Sequence, residues 1–166
     1  MSGFQIAVAT QPAPAVEGDF ASANPWASML AGEAAFTAGP AGVTVGRFAR
    51  ASVTTGIVTN AKPTGISRVG FVGRHQPQII TAFLGQASML IPGGLETTMY
   101  DRGDFWCRFA AGATIGQKVF SSDTDGTATS AAAGGTVAGS TETSFWVHST
   151  ALAGELAKIG VRPVTL

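Results

Sequence analysis

The chain has little charge, and both signs are equally scarce. Lys and Arg number 10, Asp and Glu number 10, and charged residues make up only 12% of the 166. With no net charge, no global field steers the protein toward nucleic acid or an anionic membrane. Net charge near zero also leaves a chain poorly protected against self-association. A subunit that works inside an assembly tolerates that.

Cysteine is nearly absent. Cys107 stands alone, so an internal disulfide is excluded, as is a zinc site built from several thiolates. It reads as a small core residue. Histidine is scarce too. His75 and His148 lie 73 positions apart without paired spacing, which is poor material for a metal site or for a nucleophile with its base. No G-x-S-x-G elbow occurs. The Gly39, Gly42, Gly46 series lacks the Lys-Ser/Thr pair of a phosphate loop. Asp123-Thr124-Asp125-Gly126 echoes the start of a calcium loop but lacks the later ligands, so it reads as a turn. Glu96, Asp101 and Asp104 cluster within one tight turn with Arg102, where local ion pairing accounts for them. The expectation is no enzyme, no cofactor and no metal.

Long apolar runs are missing. The charge-free stretch between Arg74 and Glu96 is broken by Pro77, Pro92 and three glutamines, whereas a transmembrane helix needs about 20 predominantly apolar residues. The first basic residue is Arg47, so a secretory n-region is absent. No membrane or nucleic-acid partner is expected, and the chain is expected to fold in the cytoplasm of the cell that makes it.

What is present is glycine, 22 residues of it, between short β-branched and aromatic runs. Val43, Thr44 and Val45 alternate. The stretch 53–59 is β-branched and precedes a loop at 60–65. Val69 and Phe71 share a face, as do Ile80, Ala82 and Leu84 in a strand expected over 79–84. Met89–Ile91 closes on Pro92-Gly93-Gly94. A hairpin is expected from 95–100 to 104–109 around Gly103, with Phe105, Cys107 and Phe109 inward and Trp106 and Arg108 outward. A second turns at Asp125-Gly126. Residues 128–141 are Ala, Gly, Ser and Thr apart from Val137, and read as part of a low-complexity loop near 126–142. Ser144–Ser149 is a strand with Trp146 opposite Phe145 and Val147. Leu156, Ile159 and Val161 suggest a closing strand, with a short helical turn over 151–158 as the other reading. Many short strands and no long amphipathic helix indicate an all-β fold, an antiparallel β-barrel or jelly-roll-like sandwich over 36–166.

Residues 1–35 differ. They carry Pro12, Pro14 and Pro25, no positive charge, and the anchors Phe4, Ile6, Phe20 and Trp26 among small residues. Disordered tails are usually charged and poor in aromatics, so this segment reads as an extended arm that docks on something. At about 3.3 Å per residue, 28 residues would reach roughly 90 Å.

The arm "AVATQPAPAVEGDFASANPW", the segments "AGPAGVTVGRFA" and "VGFVGRHQPQIITAFLGQASMLIPGG", and the end "FWVHSTALAGELAKIGV" together cover most of the chain. They resemble the cement, or head-decoration, proteins of tailed bacteriophages. That resemblance implies a protein of the virion exterior that binds across joints between major capsid subunits and stabilises the DNA-filled head. It implies the major capsid protein and the chain itself, as dimer or trimer, for partners, and no active site. Residues expected at capsid or subunit contacts are Phe4, Ile6, Pro12, Pro14, Phe20, Trp26, Trp106, Arg108 and Trp146. Two other readings remain open: a tail or head–tail joining component, and a carbohydrate-binding sandwich using Trp106 and Trp146.

Overall fold

The structure, a computed structural model, describes residues 15–80 and 88–164. Thirteen strands are described: β1 Ala27–Ser28, β2 Thr37–Ala38, β3 Val43–Thr44, β4 Phe48–Ser52, β5 Ile57–Thr59, β6 Ser67–Phe71, β7 Leu90–Ile91, β8 Tyr100–Arg102, β9 Phe105–Arg108, β10 Lys118–Ser122, β11 Ala128–Ala131, β12 Ser140–Val147 and β13 Leu156–Gly160. One 3-10 turn, Pro77–Ile79, is the only helical element among them. The fold is all-β, as the strand-and-glycine texture implies, and no described helix is long and apolar enough to cross a membrane.

The strands form three layers. A five-stranded sheet has the order β11-β10-β12-β13-β9, and a six-stranded sheet the order β1-β8-β6-β4-β5-β2. A small sheet pairs β3 with β7. All pairs are antiparallel except β2 with β5. The six-stranded sheet is the middle layer, because both its faces meet apolar side chains. Phe48, Phe71 and Tyr100 join Phe105, Phe145, Val147 and Ile159 of the five-stranded sheet, and Phe109 just beyond β9, in one core. Ala49, Ala51 and Val58 join Val43, Val45, Ile91 and Met99 in a second. The β4 sequence suits this double duty. Its large side chain Phe48 faces the first core, and its alanines let the second layer approach closely.

The aromatic stack sets the spacing of the first core. Ring centroids of Phe48 and Phe71 lie 5.3 Å apart, Phe71 and Phe105 4.9 Å, and Phe48 and Phe145 5.6 Å. Each fully buried phenylalanine contributes about 1.5–3 kcal/mol of transfer free energy. Cys107 is buried here, and burial pushes its thiol pKa up.

Several expectations are corrected. The segments around Gly103 are not a hairpin: β8 belongs to the six-stranded sheet and β9 to the five-stranded one. Gly103, at φ 128°, turns the chain across the sandwich, and a Cβ there would meet the Phe105 ring at 3.0 Å. Alternation on both flanks looks the same for a hairpin and for a corner between stacked sheets. The stretch 53–59 is a turn followed by β5, with Gly56 at φ 69°. The strand expected over 79–84 begins instead as the end of the 3-10 turn, where Pro77 starts a helical residue more readily than a central strand; positions 81–87 lie outside the described residues. The closing strand forms as β13, and residues 151–155 before it are a turn rather than the helical turn given as the other reading. Within 126–142, β11 and the start of β12 are strand, and the loop is confined to the residues between them, 132–139.

The Asp125-Gly126 hairpin forms as expected, pairing Ser121 with Ala128 through Lys118 with Ala131. Gly126 has φ 71°, and a Cβ there would lie 1.9 Å from the Phe48 carbonyl oxygen. The turn is therefore packed hard against β4.

Candidate interaction surface

Residues 15–35, assigned to the arm on sequence grounds, run along the sandwich as a strap. The Gly18 N–H donates to the Trp106 carbonyl at 2.8 Å, and the Trp106 N–H donates to the Asp19 carbonyl at 2.9 Å. The Ala21 N–H donates to the Asp104 carbonyl at 2.8 Å. These bonds add a short rung to the β9 edge. Farther along, Ala27 and Ser28 pair with Arg102 and Tyr100 on β8, so the strap crosses from one large sheet to the edge of the other. Edge strands left bare are templates for unwanted pairing, and the strap occupies one edge of each sheet.

Side chains fix the strap. Ser22 Oγ and Asn24 Nδ2 both donate to Asp104 Oδ2 at 2.7 Å. Arg108 Nε donates to Glu17 at 3.1 Å, and Arg74 pairs with Asp19 at 3.6 Å. Phe20 lies among the rings of Phe105, His75, Trp26 and Tyr100, at centroid distances of 5.0, 4.8, 5.6 and 5.7 Å. Trp26 sits edge-on to Tyr100 and keeps 55% of its surface exposed.

The expected contact residues are thus divided. Phe4, Ile6, Pro12 and Pro14 lie outside the described residues. Phe20 is half-buried and holds the strap to its own domain. Trp26 is presented outward beside it. Trp106, Arg108 and Trp146 lie on the outer face of the five-stranded sheet, opposite Cys107, Phe145 and Val147, as the alternation predicts. The structure adds a detail that sequence spacing does not carry. Lys118, across from Trp146 in the ladder, lies 4.4 Å from its ring centroid. Lys158, across from Trp106, lies 5.2 Å from that ring. Each pair is a cation–π contact between neighbouring strands, so neither indole presents a bare flat platform. Burial lowers the Lys118 pKa, and Glu142 opposes the shift.

Sequence reasoning missed a polar knot centred on Arg50. This arginine is 1% exposed and reaches from β4 across the sandwich. Its guanidinium donates to the Ser122 carbonyl at 3.0 Å, to the Ser121 carbonyl at 3.3 Å, and to Asp123. Asp123 also accepts from Thr141 Oγ1 at 2.7 Å and pairs with Lys62 at 3.4 Å. The Thr141 hydroxyl is the main reason the Asp123 pKa falls below the usual carboxylate range; Arg50 and Lys62 add to it and partial burial opposes it. Asp125 accepts from the Thr127 N–H and hydroxyl and pairs with Arg47. Its pKa is also lowered, although burial pulls the other way. Both carboxylates of the calcium-loop echo are thus engaged by protein donors. The available signal was Arg50 itself, in phase with Phe48 on a strand otherwise made of small residues.

His75 is exposed on the Phe20 ring, and His148 Nε2 lies 3.0 Å from the Arg162 carbonyl oxygen. Among the described residues no three His, Cys, Asp or Glu side chains converge as metal ligands would. Charge here ties layer to layer and strap to sheet, and aromatic surface is turned outward. That combination defines a layered β-sandwich with aromatic side chains on its outer face.

The comparisons with known proteins agree with this class. The family model of the XM1 gp53 minor capsid protein matches residues 4–161, and the chain belongs to that family. It is therefore a phage capsid-associated structural protein. Among solved structures, a chain of "The capsid of Myoviridae Phage XM1" has the same fold, with a TM-score of 0.63 and 18% identity over 98% of each chain. No curated protein matches the sequence.

Proposed function

We propose that this protein is a capsid cement protein, bound on the exterior of a tailed-phage head across joints between major capsid subunits. The supporting observation is that the family match, residues 4–161, takes in the arm as well as the sandwich. A cement must grip neighbours at several points. The arm anchors Phe4, Ile6, Pro12 and Pro14, the exposed Trp26, and the outer-face set Trp106, Arg108 and Trp146 supply such points. Phe20 fastens the strap that carries Trp26. Trp and Arg are favoured interface anchors. Many modest contacts repeated over a shell give avidity without one tight site. The action is mechanical: bridging capsomers resists the pressure of packaged DNA. The partners are the major capsid protein and further copies of the chain, as dimer or trimer.

The test is reconstitution on shells lacking the protein. Saturable co-sedimentation at hundreds of copies per shell, with greater survival of heat or osmotic shock, is expected. Saturation at about a dozen copies would make it a head–tail joining component. A carbohydrate-binding sandwich is less favoured, because a lysine lies against each candidate indole.

A further inference from the structure

The second core is open at one end. Along the ladder of β4 and β6, Ala51 pairs with Arg68 and Ser52 with Ser67, and the Val53 N–H continues the pairing to the Ile66 carbonyl at 3.3 Å. Leu30 arrives beside them, its carbonyl accepting from Arg68 Nη1 at 2.8 Å. Between this corner and the backbone of residues 32–34 runs a groove of about 480 Å³ with Phe36 and Ala51 among its lining. Both are buried, yet its apolar neighbours are strongly exposed: Leu30 83%, Ile66 79% and Val53 49%. Single exposed hydrophobes are ordinary. Three grouped around a groove that continues a core mark a docking surface. The groove has one cation, Arg68, already turned onto the Leu30 carbonyl, and one anion, Glu33.

We propose that this groove receives residues 1–14 of a neighbouring copy of the chain. The inference rests on the cement reading, in which the arm is an interface element, and names what the arm grips. Residues 1–14 contain no Asp, Glu, Lys, Arg or His, so they bring no charge to compete with Arg68 and Glu33 in a groove of mixed polar and apolar lining. Phe4, Ile6 and Val8 recur at the strand period of two, so an extended backbone would present all three on one side. Fourteen extended residues reach about 46 Å, comparable with the diameter of a domain of this size. A neighbour's groove is favoured over the chain's own. The strap is anchored at the edge of the five-stranded sheet through Gly18 and Trp106, whereas the groove continues the core on the far face of the middle sheet. Pro12 and Pro14 fix φ at about −65° and bias the residues before them away from helix, which suits a segment that leaves its own domain. Arm in one copy and groove in the next make a heterologous contact, which closes into a ring or propagates with a lattice.

The experiment uses full-length protein in sedimentation velocity and native mass spectrometry. Wild type should associate with rising concentration. A groove variant, Leu30→Asp with Ile66→Asp, and an arm variant, Phe4→Asp with Ile6→Asp, should each remain monomeric. Mixed together, they should form a 1:1 complex, because each supplies the half the other lacks. Leu152→Asp, at a residue 72% exposed that lines a separate depression with Gly112 and Thr150, should associate like wild type. Ile66→Ser, which removes the apolar contact without adding charge, should weaken association even if the aspartates perturb the sheet. Wild type that stays monomeric at high concentration, groove variants that associate normally, or a mixture that forms no complex would each overturn the proposal. If it fails while the protein still saturates capsid shells, the cement reading stands without it.

Discussion

Arg50 shows how much can rest on one side chain. It is a buried cation with three backbone carbonyls within reach and Asp123 as its counter-charge. Asp123→Asn would keep the shape and remove the charge. We expect a loss of about 3 kcal/mol in denaturant titrations, the low end for breaking a buried pair, because Asp123 keeps solvent contact and the carbonyls still hold the guanidinium. The pH dependence follows from the same group. The folded Asp123 pKa lies below its unfolded value, so its contribution is complete above the unfolded carboxylate pKa, about 4. It is lost as pH falls through the lower, folded value. Acid titration of wild type and Asp123→Asn should therefore show their stabilities converging below about pH 4. Cys107 offers a second residue-level test. Buried and biased against thiolate, it should react with a thiol reagent only at the rate at which the sandwich opens, and mild denaturant should accelerate labelling.

Two elements carry expectations of their own. At the β10–β11 turn, Gly126 leaves no room for a methyl group against the Phe48 carbonyl. Gly126→Ala should cost at least about 1–3 kcal/mol from left-handed strain, before any displacement of β4 is counted. Chemical denaturation would measure it. The strap is the other case. Removing the Asp104 carboxylate (Asp104→Ala) takes away the acceptor shared by Ser22 and Asn24. Removing the Phe20 ring vacates the aromatic cluster. Either change should raise the rate of limited proteolysis within residues 15–31 while the melting of the sheets moves much less. Equal loss in both measurements would mean that strap and sandwich unfold as one unit.

For the whole molecule, the prediction concerns assembly. Trp26→Ala should leave folding near wild type, because the indole is more than half exposed, yet reduce occupancy on capsid shells in the co-sedimentation assay. Trp146→Ala should do likewise, with a stability loss of about 0.5–2 kcal/mol from its cation–π contact with Lys118. Undiminished occupancy for both would remove the outer-face aromatics from the capsid contact. The sparse charge of the chain has its place at this scale, since Arg50, Arg74 and Arg108 with their partners Asp123, Asp19 and Glu17 tie layers and strap together.

Local pattern alone determined the fold class, the inward set Phe105, Cys107, Phe109, Phe145 and Val147, the outward set Trp106, Arg108 and Trp146, and the turn at Asp125-Gly126. Each follows from the strand period of two or from the backbone freedom of glycine, and both act within a few residues. Tertiary structure decided what depends on partners distant in sequence. Only the packed chain shows that Gly103 turns a corner between sheets, that the six-stranded sheet is covered on both faces, and that Arg50 finds Asp123 across 73 positions. Only there does Phe20 become an anchor for its own domain while Trp26, six residues on, stays exposed. Alternation says which side chains share a face; which layer meets that face is set when the whole chain competes to bury it.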